Sequence, residues 1–161
     1  MNGKTLSRRY LQTLVQYFEE EISGEAYFLA LTQYFDEPDQ REKLILMAQV
    51  ERYAAEEMRP LLRKYDLTPR TDSELHPLGR ASYGRHEFSD WNDFMTDISV
   101  RYPNYLVQFA ALENMAPGED RQALRILTNH EVAAIAFADL ELAGDTDSAA
   151  PMRRYLRGET V

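Results

Sequence analysis

Two short strings eighty residues apart hold the groups most able to do chemistry: Leu44-x-x-Met47-x-x-x-Glu51-x-x-Ala54 and Leu124-x-x-Leu127-x-x-x-Glu131-x-x-Ala134. Spacings of three, four and three put all four positions of each string on one helix face. Each string therefore sets a glutamate in the middle of an apolar stripe. A carboxylate there needs a partner, because burying an unpaired charge costs far more than leaving it in water. Glu25, between Ile22 and Leu29, falls on a similar stripe. Three glutamates converging at mid-length have three chemical outcomes. They hold a cation that prefers oxygen donors, they share protons because like charges cannot all ionise, or they pair with Arg or Tyr.

Long amphipathic helices must position these groups. From about Thr5 to Phe35, Leu11, Val15, Phe18, Ile22, Glu25, Leu29 and Thr32 follow steps of four and three, the seam of a bundle helix. Asp36-Glu37-Pro38-Asp39 breaks it and starts a second helix that runs to about Tyr65, with Pro60 expected to kink or shorten it. Residues 66–88, punctuated by Pro69, Pro77, Gly79 and Gly84, read as a long connection with at most a short helical turn. Ser89 is the expected N-cap of a third helix through Trp91, Met95, Ile98, Tyr102, Tyr105, Phe109 and Leu112, bent at Pro103. A fourth helix spans about Glu119 to Leu142 and stops at Gly144, and the tail holds a short helical stretch near Met152–Tyr155. The whole chain, 1–161, reads as one all-α domain. Its helical hairpins cover about 5–65 and 89–143, joined by a crossover at 66–88 and followed by a tail at 144–161.

Composition narrows the function. Hydrophobic residues make up 44 %, enough for one packed core. Net charge is −9, with 27 acids against 18 Lys and Arg, which argues against nucleic acid as a partner. With no cysteine, thiol catalysis, disulfides and thiolate metal sites are excluded. No apolar run is long enough to span a membrane or to act as a signal peptide near the start, so a cytoplasmic location is expected.

Adding 80 to the seam of the first hairpin gives the seam of the second: Leu44 maps to Leu124, Glu51 to Glu131, Ala54 to Ala134, and Glu25 to Tyr105. With these residues in view, the chain resembles the ferritin-like superfamily, nearest to the rubrerythrin and carboxylate di-iron hydroxylase groups. The resemblance implies a ferritin-like four-helix bundle of two helical hairpins joined by a long crossover connection. It also implies one Glu on the first helix of each hairpin and Glu-x-x-His on the second. Glu25 matches the first Glu, and Glu51-Arg52-Tyr53-Ala54 and Glu131-Val132-Ala133-Ala134 match the Glu-x-x-His strings up to their last residue. Both histidines are alanine here, and Tyr105 replaces the other Glu.

The expected metal ligands are therefore Glu25, Glu51 and Glu131, with Tyr105 and Glu21 behind them. The resemblance implies iron or manganese, whereas the residues by themselves specify only oxygen donors. The competing expectation is a site with no metal: a scaffold that has lost its chemistry and binds a protein or a small ligand. His130, adjacent to Glu131 and so about 100° away on the helix, is expected on the surface or at a subunit contact. His76 and His86 fall in the connection. Tyr27, Phe28, Leu31, Tyr34 and Phe35 make the first helix apolar nearly all round, so it should meet either the connection or a second copy, and a homodimer through this helix is expected.

Overall fold

The computed structural model describes residues 6–83 and 88–159; Gly84 and His86 lie outside them. Among the described residues the chain is all helical, without a strand. In order, the elements are α1 (Arg8–Leu31), α2 (Pro38–Lys64), α3 (Asp72–Tyr83), α4 (Trp91–Arg101), α5 (Pro103–Met115), a 3-10 turn (Gly118–Asp120), α6 (Arg121–Leu142) and α7 (Ala150–Leu156).

Local chemistry explains most of the boundaries. The Ser7 side chain accepts from the Tyr10 amide at 3.0 Å and starts α1. Pro38 opens α2, where its missing N–H costs nothing. Pro60 does not end α2, which continues to Lys64. Asp90, not Ser89, caps α4: its carboxylate accepts from the Asp93 amide at 2.8 Å, and the Ser89 amide donates to Asp93 in return at 3.0 Å. The expected third helix is two segments, broken at Tyr102 in front of Pro103. Gly144, at φ +73°, follows α6 in the left-handed conformation that suits glycine.

The connection differs most from expectation. It contains α3, a twelve-residue helix laid along α1. Leu75 is fully buried against α1, and at Gly79 an added Cβ would lie 2.0 Å from the Ser23 carbonyl oxygen. The glycine that reads as a loop signal is thus the point of closest helix contact. Arg52 of α2 ties this layer together, donating to Glu25 of α1 and, at 2.8 Å, to Asp72 of α3. The connection therefore covers the outer apolar face of α1.

α6 is the most enclosed helix, packing on α2, α4, α5 and α7. Two apolar cores fill the interior. One joins Phe28, Leu44, Met47, Phe94, Phe137 and Met152; the other joins Leu14, Phe18, Met58, Leu112, Leu124 and Leu127. Each buried side chain of this size contributes about 1.5–3 kcal/mol, enough for the two cores to support a polar centre between them. One buried acid, Asp120, and one half-buried acid, Glu141, pin the ends. Asp120 accepts from Tyr10 at 2.8 Å, Tyr65 at 2.5 Å and Lys64 at 2.6 Å, and Glu141 accepts from Trp91 at 2.9 Å and Ser148 at 2.5 Å.

Gly79→Ala should destabilise the fold. The methyl group gains about 1 kcal/mol of helix propensity, but it meets a backbone oxygen that cannot rotate away, and overpacking of this kind costs about 1–3 kcal/mol. Urea unfolding should show a lower midpoint, with α3 losing amide protection first.

Candidate metal centre

The two cores meet at mid-length, and the gap between them is polar. Glu21 of α1, Glu51 of α2, and His130 and Glu131 of α6 converge there. His130 Nε2 lies 3.1 Å from Glu21 Oε2, 3.3 Å from Glu131 Oε2 and 3.6 Å from Glu51 Oε1. Glu21 and Glu131 are each 4 % exposed and His130 is 2 % exposed. One ligand atom from each of Glu21, Glu51 and His130 falls within 4.8 Å of the others.

The imidazole orientation is fixed from behind. His130 Nδ1 sits 2.5 Å from the Leu127 carbonyl oxygen. A carbonyl only accepts, so Nδ1 carries the hydrogen and Nε2 faces the carboxylates. Glu21 Oε2 and Glu131 Oε1 have no hydrogen-bond partner among the described residues. Tyr155 of α7 closes this side: its ring lies 6.4 Å from that of His130, and its hydroxyl donates to the Ile126 carbonyl at 3.0 Å.

Crowding shifts the acids. Burial pushes Glu21 up to about 8, although its hydrogen bond with Glu51 pulls the other way. Burial, then the Glu21 charge, raises Glu51 well above its ordinary range. Burial also lifts Glu131 to about 8, against an opposing pull from His130 and with the Glu51 and Glu21 charges adding to the rise. Without a cation the cluster holds protons at neutral pH. A divalent cation removes the need for them, and oxygen donors with one imidazole suit iron and manganese.

The trio expected from sequence does not come together. Glu51 and Glu131 meet, but the third carboxylate is Glu21, one turn before Glu25. Glu25 points toward α3, where Arg52 donates to both of its oxygens, the longer contact being 3.2 Å from the guanidinium Nη2, and His76 Nε2 stands 4.0 Å away. His130, expected at the surface, is the most buried member of the cluster. Its signal lay in a second stripe of α6, Leu127, His130, Ala134 and Phe137, at steps of three, four and three. Tyr105 is one-third exposed and lines the mouth of a cavity of about 270 Å³ that ends on the cluster.

No known protein-family model, curated protein or solved structure matches the chain. The cluster therefore rests on its own geometry, which makes a direct prediction about stability. A carboxyl whose folded pKa is raised stabilises the protein fully below the unfolded value of about 4.5, and that contribution is lost as pH climbs through the folded value. Without metal, thermal stability should fall as pH rises from 4.5 toward about 8. The Glu21→Gln/Glu131→Gln double variant should flatten this slope and be more stable at pH 8, by on the order of 1–4 kcal/mol. Calorimetric scans across that pH range check it.

Proposed function

We propose that this protein is a divalent-metal-binding helical protein whose single ion is held by Glu21, Glu51, Glu131 and His130, with iron or manganese as the metal. The observation that carries the reading is His130 Nε2, set 3.1–3.6 Å from oxygens of Glu21, Glu51 and Glu131, with Glu21 Oε2 and Glu131 Oε1 lacking a hydrogen-bond partner among the described residues. Protons alone would satisfy such a group only at the cost of raised pKa values, whereas a cation satisfies all four residues at once. Glu21, Glu51 and Glu131 supply the negative charge, and the Leu127 carbonyl keeps the imidazole in the tautomer that ligates. Bound there, the ion would act as a Lewis acid or one-electron centre in a water-poor pocket.

The frame supports a ferritin-like reading. α1, α2, the α4–α5 segment and α6 would be the four bundle helices, and α3 the crossover. The ligand set would then be a rearranged one, with an imidazole from the residue before the second-hairpin Glu and a carboxylate one turn early on α1.

Anaerobic loading with Mn(II) or Fe(II), followed by elemental analysis, should give one ion per chain, and His130→Ala or Glu21→Gln should reduce uptake about 10–100-fold in affinity. Absence of uptake by the parent protein would sink the reading. Gly24→Ala is a subtler test. A Cβ at Gly24 would lie 2.5 Å from Glu51 Oε2, so the methyl displaces that carboxylate while favouring the helix. Stability should hold or rise, and Mn(II) affinity should fall.

A further inference from the structure

The cavity in front of the cluster has a chemistry of its own. Its walls are aromatic: Tyr27 from α1, Tyr102 at the α4–α5 break, and Tyr105 and Phe109 from α5. Tyr105 and Phe109 stack with centroids 6.5 Å apart, and Tyr102 meets Tyr105 edge-on at 5.5 Å. Burial holds the Tyr27, Tyr102 and Tyr105 phenols above their ordinary range, so these walls stay neutral and present ring faces. The floor is the acidic cluster, where Glu21 Oε2 and Glu131 Oε1 lack donors and both residues are more than nine-tenths buried. The positively charged side chain on the lining, Arg101, is paired with Asp97 at 2.9 Å.

We propose that this cavity binds a small organic cation, a protonated amine on a compact apolar body, with its ammonium toward the carboxylate floor and its body between the tyrosine and phenylalanine rings. An ammonium brings N–H donors to the carboxylate floor, where Glu51 is 14 % exposed in front of Glu21 and Glu131, and the quadrupoles of surrounding rings attract a positive centre most where water is excluded. An anion of the same shape meets carboxylates and no free counter-charge. A single divalent ion on the cluster leaves three carboxylates only partly neutralised, so the loaded cavity still favours a positive charge over a negative one. The volume is below the ~300–1,000 Å³ of pockets for drug-sized ligands and suits a body of about one ring.

Three probes of one shape and different charge test this: benzylamine, benzyl alcohol and benzoate. Each is titrated calorimetrically into the full chain without metal and again after Mn(II) loading. Benzylamine should bind about tenfold or more tighter than benzyl alcohol, and benzoate should give no binding heat. Tyr105→Ala should weaken benzylamine about tenfold, and Tyr105→Phe, which keeps the ring, should restore most of it. Benzoate binding as tightly as benzylamine overturns the proposal. So does absence of benzylamine binding in both preparations, or a Tyr105→Ala variant with unchanged affinity. Failure to take up Mn(II) sinks the metal assignment alone, because the titration without metal still reads the charge preference of the cavity.

Discussion

Three carboxylates crowd one imidazole at the inner end of a cavity, and their mutual repulsion must be cancelled by protons or by a cation. The surrounding architecture is arranged around that requirement. The apolar cores lie above and below the cluster and leave it between them. The Leu127 carbonyl fixes the ring, and Tyr155 packs beside it. A residue without a side chain beyond hydrogen, Gly24, makes room for Glu51 against α1. Remove the need for charge at the centre and these features have no common reason to coincide.

Much of the frame was legible in the sequence. The first hairpin, the bend at Pro103, the stop at Gly144 and the terminal helical stretch all follow from stripes, prolines and a glycine. Helix α3 was hidden because its punctuation was ambiguous. Pro77 and Gly79 are loop residues by propensity, yet here Gly79 serves contact: it lets two helix backbones approach in a way no larger residue allows. Tertiary packing outweighed local preference.

The site was half legible, and the reason is the same on both helices involved. A stripe of one period identifies the inward face only when a helix is buried on one side. α1 lies between α2 and α3, and α6 touches four other helices, so each carries two overlapping stripes. On α1 the sequence pattern marks the stripe through Ile22, Glu25 and Leu29 as the seam. In the structure Phe18 and Ile22 of that stripe are buried while Leu29 is exposed, and the face through Leu14, Tyr17, Glu21 and Phe28 is buried as well. On α6 the stripe through Glu131 is real, but the neighbouring one through His130 is real as well.

The uneven enclosure of the helices has a consequence for how this chain tolerates change. α6 presents packed neighbours in several directions, and between Leu124 and Ala138 only Arg125 is exposed, so most replacements there alter a cavity, a contact or the cluster itself. α5 shows solvent much of its outline: Val107 is 70 % exposed, and of its thirteen residues only Phe109 and Leu112 are buried. Random substitution will therefore erase the written record of α5 first and that of α6 last. A diverged descendant of this protein would keep its ancestry in the stretch from Leu124 to Ala138, long after the wall of the cavity had been rewritten for a different occupant.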